Sequence, residues 1–166
     1  MMISAAMQDK LNEQVTAEFG ASHKYLQMAC TLDNMGLKIL AKWFIRQSGE
    51  EREHALKIVH YVLEVGGQVT LEDVPKPKDK TKTIKDIVVA GLESEKAVTR
   101  MINDLVDLAE SEKDHATRSF LQWFVDEQVE EVSTFTDLLT MVELAKDNVL
   151  QVEASLQYQL MTKAGE

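Results

Sequence analysis

The sequence has little of what staples, kinks or anchors a chain. It has one cysteine, Cys30, two prolines and seven glycines in 166 residues. A single cysteine excludes an internal disulfide framework and any CxxC zinc or redox site. So few prolines and glycines exclude collagen, linker arrays and disorder. Apolar runs are short. The longest stretch without Asp, Glu, Lys or Arg is nine residues, 154–162, about half of what a membrane span needs. Residues 1–10 show no basic segment followed by an apolar one, so no signal peptide is expected. Positive charge is also scarce, with 18 Lys and Arg against 28 Asp and Glu, a net charge of −10. Residues 115–166 hold three of those basic side chains and nine of the acidic ones. Such a chain is ill suited to clamping nucleic acid or an anionic membrane. The expectation is one cytoplasmic domain spanning residues 1–166, of a size able to bury its own core.

What the sequence does have is helical periodicity almost throughout. Four apolar stripes recur at spacings of three and four. The first runs Leu11, Val15, Ser22, Tyr25, Ala29, Leu32, and the second Leu37, Leu40, Phe44, Ala55, Ile58, Val62, Val65. The third runs Ile84, Val88, Gly91, Val98, Ile102, Leu105, Ala109, and the fourth Leu121, Phe124, Phe135, Leu138, Val142. Helices are predicted over 5–34, 38–66, 83–112 and 115–145. The breaks are Asp33-Asn34-Met35-Gly36, the Gly66-Gly67 stop, and Lys113-Asp114-His115, where Asp114 can cap the fourth helix. Both prolines fall in 68–83, a polar segment with Lys76, Lys78, Lys80 and Lys82, long enough to cross a bundle and read as a solvated crossover. Four rods of equal length make an all-α four-helix bundle, with helices two and three parallel. A short fifth helix, 146–162, carries Val149, Val152, Leu156 and Leu160 on one side and needs a partner for that face.

The stripes have gaps, and the gaps are acidic. Glu18 lies between Val15 and Ser22; Glu51, with His54 one turn on, between Phe44 and Ala55. Glu95 lies between Gly91 and Val98, and Gln128 and Glu131 between Phe124 and Phe135. Each gap sits mid-helix, so all meet at one height of the bundle. Four buried carboxylates without compensation would each cost several kcal/mol, and no Lys or Arg shares the stripes. Two divalent cations would balance them. Oxygen-rich ligands with one imidazole suit iron or manganese better than structural zinc. Glu51-Arg52-Glu53-His54 is the Glu-x-x-His pattern of bundle di-metal sites; the fourth helix departs with Gln128-Val129-Glu130-Glu131. Tyr25 shares the face of Glu18 and reads either as core or as a phenol able to donate a proton or an electron. Trp123 is expected to pack in the core, and His23, His60 and His115 to lie on the surface. Glu50, Glu127 and Glu130 form a second acidic group, either a solvated face or the holder of a third, weaker cation. Gly20, Gly49 and Gly91 lie within helices near these ligands, and close helix approach or local backbone give around the metals is the expected reason.

These residues resemble a bacterial-type non-haem ferritin over nearly the full chain. The resemblance is carried by Leu11-Asn12-Glu13-Gln14 leading to Glu18 and Tyr25, by Glu50-Glu51-x-x-His54, by Glu95, and by the block from Phe120-Leu121-Gln122-Trp123 to Glu130-Glu131. It implies a ferritin-like bundle with a ferroxidase centre. Glu18, Glu51 and His54 would bind a first iron. Glu51 would bridge to a second, held by Glu95 and Glu131 with Gln128 nearby. Glu50, Glu127, Glu130 and Glu131 match a third iron site. It further implies a hollow homo-oligomeric cage of 24 subunits that oxidises Fe(II) with O2 or hydrogen peroxide and stores ferric mineral, the last helix lining the four-fold contacts. Haem is not expected, because Arg52 and Glu130 stand where haem-binding relatives carry methionine and histidine. His23-Lys24 departs from the family's apolar or aromatic pattern. The competing reading is a di-iron oxidase or peroxidase acting on a separate substrate, against which the stripes offer no evident run of small residues for a pocket. A non-catalytic scaffold with solvated acids is the third.

Overall fold

The computed structural model describes residues 2–77, 83–146 and 148–163, with side chains to residue 159. It has five helices: α1 (Ala5–Asn34), α2 (Lys38–Glu64), α3 (Ile84–Ser111), α4 (His115–Ala145) and α5 (Val149–Lys163). No strand occurs among the described residues. No helix there is long and apolar enough to cross a membrane.

The ends are set by local chemistry. Ser4 Oγ accepts from Met7 N at 2.9 Å and opens α1. Thr83 and Asp86 make a reciprocal capping box for α3, and Asp114 accepts from Thr117 N at 3.0 Å to open α4. These side-chain acceptors satisfy N–H groups that have no partner within the helix. The stops of α1 and α2 use Gly36 and Gly66 at φ 84° and 77°. There Leu37 N donates to Leu32 O, and Gly67 N to Val62 O, which closes each last turn. Lys113, at φ 57°, takes the same role after α3. Helix α2 alone of the first four begins on a residue, Leu37, with no polar side chain to offer.

Side-chain pairs fix the topology. Ser22 Oγ donates to Ser48 O, while Gln68 near the far end of α2 meets Gln8 and Asn12 at the start of α1, so α1 and α2 are antiparallel. Ser4 meets Glu112 and Lys24 meets Ser94, so α1 and α3 are antiparallel. Gln47 meets Glu131 and Tyr61 meets Thr117, so α2 and α4 are antiparallel. Helices α2 and α3 therefore run parallel, joined by the crossover. Its first residues are tied down by Asn12, which donates to Gln68 O and accepts from Thr70 N. Lys76 is exposed; Lys78, Lys80 and Lys82 lie outside the described residues.

The core has two apolar halves. Tyr25, Leu32, Leu40, Trp43, Phe44, Val88 and Phe135 belong to one. Met7, Leu11, Val15, Ile58, Val62, Ile102, Leu105, Leu121 and Phe124 belong to the other. The acidic gaps of the stripes lie between them. Helix α5 corrects one expectation: its apolar face finds its partner in its own chain. Val152 and Leu156 are buried in the first half; the side chain of Leu160 lies outside the described residues. His23, His60 and His115 are exposed as expected, whereas Trp123 is not in the core but 38% exposed.

The helix glycines separate. A Cβ on Gly91 would lie 2.3 Å from Phe135 Cε1. Phe135 is itself held between Tyr25, Trp43 and Phe44, with ring centroids at 5.1–6.0 Å. Close approach is therefore the reason for Gly91. A Cβ on Gly20 or Gly49 meets nothing within 4 Å, so close approach does not account for those two. Gly91→Ala should lower stability by about 1–3 kcal/mol through overpacking. Gly20→Ala and Gly49→Ala should leave it unchanged or raise it by about 0.5–1 kcal/mol. Thermal melts of the three metal-free variants check this; a Gly91→Ala protein as stable as its parent contradicts the packing.

Candidate metal centre

Each helix of the bundle delivers polar side chains to the waist between the two apolar halves. Glu18 comes from α1, Glu51 and His54 from α2, Glu95 from α3, Gln128 and Glu131 from α4. All six are buried, and Glu18, Glu51 and Glu95 expose no surface. On a helix, positions three apart share a face, so Glu51 and His54 point the same way, as do Gln128 and Glu131.

The side chains fall into two ligand groups. Glu18, Glu51 and His54 bring one oxygen or nitrogen each within 4.8 Å of one another. His54 also groups, within the same limit, with Glu127 and Glu131. Glu95 is placed differently. Its carboxylate accepts from the Tyr25 hydroxyl and, at 3.5 Å, from Gln128 Nε2. Tyr25 is thus neither a plain core residue nor a free donor: it is buried, and it orients Glu95.

Some residues that build the waist carry no individual signal in the stripes. Gln14 Nε2 donates to Glu18 Oε1 at 2.7 Å, and Gln47 Nε2 donates to Glu131 Oε2 at 2.8 Å. Thr99 Oγ1 donates to Gln128 Oε1 at 2.8 Å. Gln14 and Gln47 each lie four residues before a ligand carboxylate, one helical turn on the same face. That spacing finds Gln14, whose partner is the carboxylate one turn on, whereas Gln47 bonds Glu131 on α4, which spacing does not show. Trp123 packs against His54 in a T-shaped pair with ring centroids 5.4 Å apart, and Lys57 Nζ lies 4.1 Å over the Trp123 ring. Trp123 closes the outer edge of the site.

The second acidic group lines an open pocket. Glu50, Glu127, Glu130 and Glu131 face a space of about 190 Å³ with Trp43 and Gln47, and α5 contributes Leu156 and Gln159. Glu50 is half-buried and pairs with Arg46 at 2.8 Å; Glu130 is exposed. Glu131 belongs both to this pocket and to the waist. A larger groove, about 690 Å³, lies on the outer side of α1 and α3. Ala17, Gly20, Ala21, Ala90 and Ala97 line it, so a small-residue recess exists where the stripes suggest none. None of the ten predicted site residues faces it.

The waist fits a cation on its own geometry. Five buried atoms have no hydrogen-bond partner among the described residues: Gln14 Oε1, Glu18 Oε2, both oxygens of Glu51, and His54 Nδ1. Four of the five belong to Glu18, Glu51 and His54, the tightest ligand group. His54 Nδ1 stands 3.4 Å from Glu51 Oε2, a spacing that a shared cation would bridge. Buried polar atoms left unpaired are costly. These groups can hold a metal ion.

Without a metal, the site holds protons instead. Burial raises the Glu18 carboxyl well above its usual range, and the Glu51 charge adds to this. Burial, then Glu95, does the same to Glu51. Burial raises Glu95, and burial followed by Glu95 raises Glu131 to about 7. Burial also holds the Tyr25 phenol well above 10, with Glu95 reinforcing it. The unfolded carboxyls release their protons near 4.5, while the folded ones keep theirs to higher pH. Folding therefore takes up protons in this window, and stability from these groups falls as pH rises. The metal-free protein should lose melting temperature between about pH 5 and pH 8, and a divalent cation should restore it at the upper end. Glu131→Gln should flatten the fall. Melting curves across pH with and without Mn2+ read this out, and an unchanged slope in Glu131→Gln contradicts the burial argument.

The comparisons with known proteins agree with this geometry. The ferritin-like domain family matches residues 8–145. The chain is 40% identical over 134 residues to the bacterial non-heme ferritin of Staphylococcus haemolyticus, covering 81% of each chain. It is 35% identical over 143 residues to ferritin BfrB of Mycolicibacterium smegmatis, covering 86% of this chain and 79% of that one. Its fold matches the open pore ferritin of the hyperthermophilic archaeon Archaeoglobus fulgidus with a TM-score of 0.91. The identity there is 37%, over 93% of this chain and 96% of that one. The five helices, the carboxylate–histidine waist and these matches make one statement: the chain belongs to the ferritin-like family, alongside the bacterial non-haem ferritins.

Proposed function

We propose that this protein is an iron-storage ferritin with ferroxidase activity, working in the cytoplasm as a hollow cage of 24 copies. The observation that carries the reading is the set of orphaned buried atoms on Glu18, Glu51 and His54. Four carboxylates gather around them with no cation of the protein's own. Fe(II) is the substrate. Glu18, Glu51 and His54 would take the first ion, and Glu51, Glu95 and Glu131, with Gln128 beside them, the second. Glu50, Glu127, Glu130 and Glu131 would take a third.

Two Fe(II) ions give up one electron each. The pair reduces O2 to hydrogen peroxide, or hydrogen peroxide to water. Hydrolysis of each Fe(III) to oxyhydroxide then releases two protons per iron overall. The carboxylates act twice, as ligands for the cation and as acceptors for those protons. Glu131, which faces the acidic pocket, is placed to pass protons outward. The oxidised product leaves along Glu131 and Glu130. Gln14 and Gln47 hold Glu18 and Glu131 in place through one hydrogen bond each. Tyr25 keeps its proton, orients Glu95 and stands where it could also supply an electron.

A di-iron oxidase with a separate substrate would use the same ligands. It would also need a recess next to them. The large groove of small residues contains none of the ten, and the recess that does reach Glu131 is acidic, which suits cations.

Stepwise addition of Fe(II) to the metal-free protein in air, followed by size separation and iron assay, tests the reading. Iron retained far beyond three per chain, in a particle of several hundred kilodaltons, is expected. A plateau near two in a small oligomer would overturn storage in favour of the oxidase. His54→Ala should abolish fast oxidation. Gln14→Leu and Gln47→Leu should weaken metal binding or turnover by roughly 10–100-fold, as loss of a ligand's hydrogen-bond partner does. Normal oxidation by His54→Ala would show that the site is elsewhere.

A further inference from the structure

Helix α2 begins without a cap of its own. Leu37 offers no side-chain acceptor, and the first turn of α2 has no acidic residue. The missing acceptors come from α5. Glu153 Oε1 accepts from Leu40 N at 2.7 Å, and Glu153 Oε2 from Ile39 N at 3.2 Å. A carboxylate on two backbone N–H groups at the positive end of a helix is a charge-assisted cap. Here it acts between two elements that are more than a hundred residues apart in the chain.

Helix α5 joins this cap to a short apolar contact, with Val152 and Leu156 buried in the first core half and Val149 packed against it. It is 15 residues long, a length marginal for an isolated helix in water. Among its described side chains only Val152 and Leu156 are buried. Leu156 and Gln159 are also the residues α5 contributes to the acidic pocket of Glu131. They lie one and two turns beyond Glu153. A helix tied at Glu153 thus places its next two turns against that pocket.

We propose that Glu153 is the anchor of α5, and that α5 so anchored is the wall that sets how fast ions pass between Glu131 and the outside of the pocket. Glu153 is a positioning residue: it touches no ligand of the site and acts through the seating of Leu156 and Gln159. The anchor stands on the hydrogen bonds alone, whereas the passage of ions rests on the proposed function.

Hydrogen exchange on the intact metal-free protein tests the anchor. Glu153→Ala should speed exchange at Ile39, Leu40 and the α5 amides by roughly five- to tenfold, the usual effect of losing a cap. Glu153→Gln should fall between, since its amide oxygen still accepts one N–H without the charge. Gln151→Ala, at an exposed position of α5, should change nothing. Unchanged α5 exchange in Glu153→Ala overturns the anchor, as does faster exchange confined to Ile39 and Leu40. Co2+, which air does not oxidise here, then probes the wall. After loading, its loss to excess EDTA should speed up several-fold in Glu153→Ala and in Leu156→Ala. Equal Co2+ release with α5 loosened overturns the wall. If Glu153→Ala fails to fold, Glu153→Gln and Leu156→Ala carry both readouts. A wild-type protein that retained no iron mineral would sink the storage reading and leave the exchange and Co2+ results standing.

Discussion

Everything in this molecule is arranged around carboxylates that it buries and does not neutralise. Glu18, Glu51 and Glu95 have no exposed surface, and Glu131 very little. A buried carboxylate normally finds a lysine or arginine, or several N–H donors, or it stays protonated. Here the donors are few: one glutamine for Glu18, one for Glu131, a tyrosine and a distant amide for Glu95, and none for Glu51. Arg46 and Arg52, on the helix that carries Glu51, pair instead with Glu50 and Glu53. The site is balanced only by protons or by a cation from outside, and its demand for the cation grows as pH rises. A bundle built for stability alone would fill this level with leucine.

The surrounding structure is what makes that imbalance tolerable. The apolar core is interrupted at a single level, and each side has its own complete packing. Above the waist, Tyr25, Phe44, Trp43 and Phe135 form one aromatic cluster. Gly91 lets Phe135 come against the backbone of α3, and Gly91 O in turn faces the Tyr25 hydroxyl that bonds Glu95. A packing residue, a glycine and a ligand carboxylate thus form one mechanical unit. Rigid halves hold the ligands of four helices in register, as a site that must receive two ions close together needs. Helix α5 lies apart from this unit, tied to the start of α2 through Glu153 and lining the acidic pocket with Leu156 and Gln159.

Most of the fold was legible in the sequence because its signals are local. Helix ends at Ser4, Thr83 and Asp114 follow from side chains that bond the backbone within three residues, and the stops at Gly36 and Gly66 from left-handed backbone. The site was legible because acidic residues inside apolar stripes are costly wherever the stripes are buried. What was missed depends on tertiary partners. Gln14 looks like any polar helix residue until the carboxylate a turn away proves to be buried, and Gln47 until α4 brings Glu131 against it. Gly20, Gly49 and Gly91 are alike in sequence, and only the ring of Phe135 distinguishes one of them. Trp123 lies beside Phe124 on the helix but a step around it, so one is buried and the other closes the rim. The need of α5 for a partner was legible, but not that the partner was α2 and α4 of the same chain. That depends on an empty cap at Leu37 being filled from a residue far along the sequence.

The asymmetry of the waist bears on why such a centre would store iron rather than keep it. Glu18, Glu51 and His54 form one ligand group with a nitrogen ligand, and none of the three lines the acidic pocket, although His54 also lies within ligand distance of Glu127 and Glu131. Glu131 is different: it is shared between the buried waist and an acidic pocket, and it titrates near 7. On the proposed function, an ion held on the Glu131 side would exchange one set of carboxylates for another, since Glu131 belongs to both. A metalloenzyme that retains its metals gains nothing from such an exit. A protein that must clear Fe(III) after each oxidation needs one, and it needs it on one side of the centre only, so that the product leaves toward the acidic pocket while the site stays assembled for the next pair.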